Sequence, residues 1–175
     1  MVSVTALRDA QETIIGYLLI GTDNTARMRV EAERARLDQV LLDTGAGISD
    51  VVLFTVSLAD EVLIVATPEP TSLTDAYATV KVLATTQAPR PVRLLVNQVQ
   101  RSGEGRAVRA QLQAVVDRFV NTTLAQPVQL LWLGEVPMDS AVRESVQRRQ
   151  LLMEALPGSP AAVALAAAAA RLLPP

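Results

Sequence analysis

An α/β protein, with a parallel sheet flanked by helices, is the expectation this sequence raises, and three observations raise it. Short runs rich in Val, Leu and Ile alternate with longer stretches of helical period, the pattern of strand and crossover helix in a parallel sheet. Half of the residues are hydrophobic but only 3% are aromatic, so the core is aliphatic, as in strands covered on both faces. The apolar runs end in Asp43-Thr44-Gly45, Thr67-Pro68-Glu69, Asn97-Gln98 and Gly134-Glu135-Val136-Pro137. Polar or irregular carboxyl ends of this kind form the rim on which open parallel sheets bind ligands.

The elements follow in chain order. Residues 2–5 alternate like a short strand, and residues 13–20 form a longer apolar run broken by Gly16; either suits a sheet. Residues 21–24 are turn chemistry, and residues 25–38 read as a charged helix with Ala26, Val30 and Leu37 on its apolar side. Residues 39–42 read as a buried strand closed by Asp43, after which Gly45 and Gly47 open the backbone. An aspartate there can hold a magnesium ion through water, and amides freed by glycine can face a phosphate. The same residues equally suit a capped turn in which glycine supplies positive φ.

Residues 49–59 are apolar enough for a buried helix, with Ser49 or Asp50 as N-cap. Residues 61–66 make the clearest strand, ending at Thr67 and the two prolines Pro68 and Pro70, which predict a rigid extended loop. The next helix carries Leu73, Ala76, Tyr77, Val80 and Leu83 at spacings of three and four, with Ser72 and Asp75 as a capping box. A second unit has a strand over 92–96, Asn97, a polar loop through Gly103, and a helix with Val108, Leu112, Val115, Val116 and Phe119 on one face. A third has a strand over 128–133 and a helix over about 140–156. Ser159 and Pro160 open an alanine-rich helix to Leu173 that Pro174 ends. Its single charge is Arg171, so it suits a core position or a subunit contact, and it is too short for the ~20 residues that span a bilayer.

Composition limits the chemistry. At 175 residues and 18.7 kDa the chain predicts one domain with a full core. It contains no cysteine and no histidine, which excludes disulfides, thiolate nucleophiles, Cys/His zinc sites and Ser-His-Asp catalysis. The net charge is −2 and the basic residues are spread out, so no direct nucleic-acid binding is expected. Lys81 is the only lysine. No secretory signal or transmembrane segment is visible, and a cytoplasmic location is expected.

Four stretches then stand together: Val-Leu-Leu-Asp-Thr-Gly-Ala-Gly-Ile-Ser (40–49), Ala-Asp-Glu-Val-Leu-Ile-Val-Ala-Thr-Pro-Glu-Pro-Thr-Ser-Leu-Thr-Asp-Ala-Tyr (59–77), Leu-Leu-Val-Asn-Gln-Val (94–99) and Leu-Gly-Glu-Val-Pro-Met-Asp (133–139). In order and spacing they resemble the MinD/ParA group of deviant Walker ATPases, and within it the flagellar-number regulators of the FlhG, FleN and YlxH kind. The resemblance covers residues 37–173 and leaves residues 1–36 as a divergent N-terminal segment. It implies a P-loop NTPase-like sheet, with Mg and ATP as cofactors. It further implies that Asp43 orders magnesium and water at the γ-phosphate and that Gly45 to Gly47 is the switch sensing that phosphate. Asn97 would bond the adenine, the backbone of Val136, Pro137 and Met138 would line the base pocket, and Pro68, Glu69 and Pro70 would lie near a nucleotide-dependent dimer interface. For Asn97 and the prolines, a plain strand-end cap and a shaped loop remain alternative readings.

One departure is large. The family's glycine-rich P-loop with its two lysines, which cradles the phosphates and neutralises their charge, has no counterpart, since no Gly-Lys pair occurs. Residues 2–13 resemble the family's first strand and loop with every glycine and lysine replaced, and Asp9 and Glu12 would repel a triphosphate. Either a degenerate member of the family or a fragment of a complete ATPase fits this pattern. The expectation is an FlhG-like domain deficient in ATP hydrolysis, which leaves open that it holds neither ATP nor Mg. Such a domain would act through a homodimer, a related ATPase, or flagellar or partitioning proteins. The rival expectation is an active ATPase completed by another chain or by arginines such as Arg8. A ligase of the cobyrinic acid a,c-diamide synthase type is a more distant alternative, and the missing cysteine removes its glutaminase nucleophile.

Overall fold

The computed structural model of the chain describes residues 3–8, 14–20, 40–44, 47–86 and 90–172. They belong to two compact units, Met1–Asp60 and Glu61–Pro175. The turn expected at 21–24, the helix expected over 25–38, Gln39, Gly45 and Leu173 lie outside the described residues.

In the first unit, β1 (Ser3–Arg8) pairs antiparallel with β2 (Ile14–Ile20), from Ser3 opposite Ile20 to Arg8 opposite Ile14. The two runs that could each have joined a sheet therefore pair with each other. Of residues 40–44, only Leu41 makes an isolated bridge, and it is 57% exposed; the continuous buried strand expected there is not formed by the described residues. Helix α1 (Asp50–Ser57) starts where the sequence places it. The Ser49 hydroxyl accepts the Val52 amide proton at 3.4 Å, and Asp50 in the first turn complements the helix dipole.

The second unit is built on a parallel sheet of order β3-β4-β5: β3 (Val62–Ala66), β4 (Val92–Val99) and β5 (Leu130–Pro137). The crossovers are α2 (Pro70–Thr86), packed on β3, and α3 (Glu104–Phe119), packed on β4, β5 and α2. After β5 come α4 (Ser140–Gln147), α5 (Leu152–Ala155) and α6 (Pro160–Leu172), of which α6 packs on β5. Helices thus flank the sheet, as the aliphatic composition requires. Ile64, Leu94, Val96 and Leu130 are buried within the sheet, while Ala76, Val80, Leu112 and Val116 are buried on the helices. On the side of α6, Leu95, Leu133 and Val136 pack with Ala161 and Ala168. Each fully buried aliphatic side chain contributes about 1.5–3 kcal/mol, and the alanines let α6 approach the strand closely.

Two bulges shape the sheet. Leu94 pairs with Trp132 but Leu95 with Gly134, so Leu133 is an extra residue in β5. The Leu133 carbonyl accepts from Arg171 Nη1 at 2.5 Å, and a Cβ at Gly134 would stand 3.3 Å from that nitrogen. The one charge of α6 therefore bonds the bulge. Further along, Val96 pairs with Glu135 and Val99 with Pro137, so β4 carries an extra residue at Asn97-Gln98.

Four details differ from the sequence expectation. Helix α2 begins at Pro70, because proline is compatible with the first helical position; Ser72 is no cap and instead accepts the Thr67 amide proton at 2.9 Å. Strand β5 starts at Leu130, because the Asn121 and Gln113 side chains bond the Val128 backbone first. Phe119 is 55% exposed beneath the Arg118 guanidinium, and Val120 is buried in its place. The helix expected over 140–156 is broken at Arg149, whose φ of 53° is left-handed.

Candidate functional site

The carboxyl ends of all three parallel strands meet at one cavity of about 260 Å³, lined by Thr67, Pro68, Glu69, Pro70, Gln98, Gln100 and Met138. Each strand is followed by a loop that places its residues there. After β3, Ser72 bonds the Thr67 amide and the Glu69 amide donates to Thr67 Oγ1 at 3.4 Å, which folds the two prolines back over the rim. At the end of β4, Asn97 Oδ1 accepts the Gln98 amide proton at 2.9 Å, and Gln98 takes the left-handed φ of 59°. Glu104 Oε2 accepts the Gln100 amide proton at 2.6 Å. After β5, the Met138 amide donates to the Val99 carbonyl at 2.9 Å, leaving a side chain that is 61% exposed.

Carboxylates hold the surrounding helices. Glu135 reaches from β5 to the start of α3, where its two oxygens accept the Gly103 and Gly105 amide protons, each at 2.9 Å. Gly105 is obligatory in that arrangement, since a Cβ there would lie 2.7 Å from Glu135 Oε2 and 3.0 Å from the Trp132 ring. Asp139 accepts the Ala141 amide proton at 2.9 Å and the Ala161 amide proton at 3.0 Å, joining the first turns of α4 and α6. The Ala161 bond, and then the Ala141 bond, hold its carboxyl below the usual carboxylate range.

The expected site residues are distributed as follows. Pro68, Glu69 and Pro70, expected near an interface, and Met138, expected in the base pocket, line the same cavity. Asn97 is half-buried and is not among the residues that line the cavity, with its carbonyl oxygen engaged by the Gln98 amide. Val136 is buried against α6, and Pro137 is half-buried in the ladder with Val99. Asp43 is exposed and Gly47 has a φ of 98° with open space around it. Both are in the first unit, as is Gly45, which lies outside the described residues. Gln98 was read from the sequence only as part of the Asn97-Gln98 strand end, and Gln100 was not read as a site residue. Asn97 pointed to the right strand end, but nothing in the sequence announces the bulge that directs the chain after it.

A family model described as ParA: NUBPL iron-transfer P-loop NTPase matches residues 1–173. The chain belongs to the ParA family of P-loop NTPases. Among its ParA/MinD relatives, the antiactivator FleN of Pseudomonas aeruginosa is 40% identical over 136 residues, 78% of this chain and 46% of FleN. The flagellum site-determining protein YlxH of Helicobacter pylori is 29% identical over 149 residues, 85% of this chain and 48% of YlxH. The chain thus spans about half the length of these curated relatives. Among solved structures, the MinC:MinD cell division protein complex of Aquifex aeolicus superposes with a TM-score of 0.70 at 23% identity, covering 95% of this chain and 66% of that one. The Pyrococcus horikoshii MinD complexed with Mg-ADP superposes with a TM-score of 0.63 at 18% identity, covering 89% and 63%. These structures show the ParA/MinD fold in this chain.

The donors available fit the family's nucleotide unevenly. The rim cavity offers amide edges and flat apolar walls to a base. In the first unit, β1 continues as extended strand through Ala6, Leu7 and Arg8, where the P-loop resemblance falls. The ladder commits alternate amides of such a strand to its partner and points the others away, so they do not converge on one anion as a P-loop does. Among the described residues no group of three or more acidic side chains could hold a metal. Asp43 could only add a water-mediated contact to a magnesium ion that arrives with a nucleotide.

Proposed function

We propose that this chain is a nucleotide-switch domain of the FleN/YlxH kind that keeps the base side of the ParA/MinD site. Within its 175 residues it has no phosphate-binding loop, so by itself it is deficient in ATP hydrolysis and acts through protein contacts. The observation that carries this is the rim cavity built by Thr67 to Pro70, Gln98, Gln100 and Met138 in a chain without a Gly-Lys pair. Phosphoryl transfer is catalysed almost entirely by positioning and by neutralising charge on the transferred group. A cytoplasmic role in flagellar number or placement, or in partitioning, is supported by likeness to FleN and YlxH. Among the described residues no helix is long and apolar enough to cross a membrane.

If the nucleotide binds, Met138 and the prolines enclose the base, Asn97 bonds its edge, and Asp43 and the Gly45-Gly47 loop sense the γ-phosphate. The partner is a second copy of the chain or a related ATPase, with Pro68, Glu69 and Pro70 near the contact. The solved MinC:MinD complex supports a binding role for the fold in general.

Calorimetric titration with Mg-ATP tests the reading. Weak binding without turnover is expected; submillimolar affinity with turnover would overturn it. If turnover appears and both Arg8→Ala and Asp43→Ala abolish it, an active ATPase that uses arginine in place of lysine takes its place.

A further inference from the structure

We propose that the free edge of β3 binds a second copy of this chain. The two β3 strands run antiparallel about a twofold axis at Ile64 and join the parallel sheets of both copies. The contact is independent of nucleotide and so goes beyond the reading above.

The hydrogen-bond phase of the strand is the first argument. Among the described residues β3 is an end strand with β4 as its neighbour. The Val62 amide donates to the Pro91 carbonyl at 3.0 Å. With the two-residue period of a strand, Val62, Ile64 and Ala66 therefore turn their backbone groups to β4. The N–H and C=O groups of Leu63 and Val65 point away from the sheet, and among the described residues nothing bonds them.

The contrast between the two edges of the sheet is the second. At the β5 edge the chain's own side chains engage the backbone. Gln113 Oε1 accepts the Leu130 amide proton at 2.7 Å, Arg109 Nε donates to the Leu130 carbonyl at 2.6 Å, and Arg171 bonds the Leu133 carbonyl. The bulge at Leu133 and the proline at 137 interrupt that edge further. Native sheets block edge pairing with charges, prolines and bulges, and β3 holds none of them within its five residues. Glu61, just before the strand, is drawn onto β4 by the Arg93 guanidinium at 2.5 and 3.0 Å, so its side chain does not shield the edge.

Self-complementarity is the third, and it selects a second copy over an unrelated strand. A twofold at Ile64 sets Leu63 opposite the partner's Val65 and Val65 opposite the partner's Leu63. Both members of each pair point outward, so each pair exchanges both backbone bonds, and Ile64 meets the partner's Ile64 in the unbonded position between them. The same register brings apolar side chains together. Leu63 and Val65 are exposed on the face where Leu95, opposite Val65, packs with the alanines of α6, and cross-strand aliphatic pairs stabilise such a contact. One register that serves both copies alike is what an isologous dimer requires.

Sedimentation equilibrium of the full chain, with and without Mg-ATP, tests this. A dimer at high micromolar concentration is expected, with the same Kd in both conditions. Val65→Lys places a charge at an exposed position of the edge and is expected to weaken the dimer at least about tenfold. Val65→Pro removes an amide that makes no bond within the sheet and is expected to do the same. Ile64→Cys gives a chain without cysteine a single thiol. The Cα atoms of an unbonded antiparallel pair stand about 4.5 Å apart, within the span of a disulfide, so oxidation is expected to link the dimer. Val62→Cys, opposite the partner's Ala66, is expected to give no such link. A monomer at that concentration would overturn the inference. A dimer that needs Mg-ATP, or that Val65→Lys leaves unchanged, would overturn it in favour of another contact surface. Linkage through Val62→Cys and not through Ile64→Cys would overturn the register.

Discussion

Asp139 takes amide protons from Ala141 and Ala161, so a single carboxylate ties the starts of α4 and α6 to the end of β5. Those bonds favour its ionised form and hold its pKa below the value of a free aspartate; the Arg93 hydrogen bond does the same for Glu61. A group depressed in the folded state stabilises fully above its unfolded pKa of about 4 and loses that contribution as the pH falls through the lower folded value. Asp139→Asn is therefore expected to be less stable than the parent at pH 7 in urea unfolding, with the gap closing as the pH falls through the lowered pKa of Asp139. Glu135 does comparable work at the start of α3. Gly105→Ala, which would press a methyl group onto Glu135 and Trp132, is expected to cost about 1–3 kcal/mol, read from the urea midpoint. The sequence marks Asp139 through the stretch 133–139, but not its two partners, since Ala161 lies far along the chain and is chosen by packing. The pairing of Glu135 with Gly103 and Gly105 is equally unmarked, because a carboxylate in a strand carries no sign of which helix start it will meet.

At the scale of elements, β3 and β4 were legible because their apolar residues stand in short runs bounded by proline and polar residues, and the parallel pairing followed from the helices between them. Their partner β5 was legible in part. Its run Val128 to Leu133 marked the strand, but side chains of Gln113 and Asn121 compete for the Val128 backbone, which moves the start to Leu130. Bulges were not legible, since Leu133 and Gln98 are ordinary strand residues by composition and only the pairing partner makes them extra. Helix α6 was legible from Ser159-Pro160, and the Ala162 amide does donate to Ser159 Oγ at 3.3 Å. The break at Arg149 was hidden for lack of a glycine or proline to mark it. Arg149→Gly, which relaxes the left-handed φ of 53°, is expected to raise stability by up to about 1 kcal/mol. Leu94→Ala, at a fully buried position in the central strand, is expected to cost about 2–5 kcal/mol, and thermal unfolding of the two variants should move in opposite directions.

At the scale of the whole molecule, the sequence showed the ParA/MinD ancestry through residues 59–77 more than through Asp43, because a strand followed by Thr-Pro-Glu-Pro is rarer than an aspartate before glycines. The cavity itself was only half visible: Met138 and the Thr67–Pro70 loop were expected at different sites, and the parallel register brings them to one rim. Leu63, Val65 and Leu131 remain 40–55% exposed on strands, and apolar sheet surface of that kind favours association. Light scattering at high micromolar concentration is expected to give a mass above the 18.7 kDa of one chain, and a clean monomer would count against a self-associating role. The central claim is that this chain keeps the base side of a ParA/MinD nucleotide site without the means to turn ATP over. Its most direct test is phosphate release by the purified chain at saturating Mg-ATP. The account predicts a rate no higher than that of Asp43→Ala in the same buffer; sustained release by the parent that Asp43→Ala removes would contradict it.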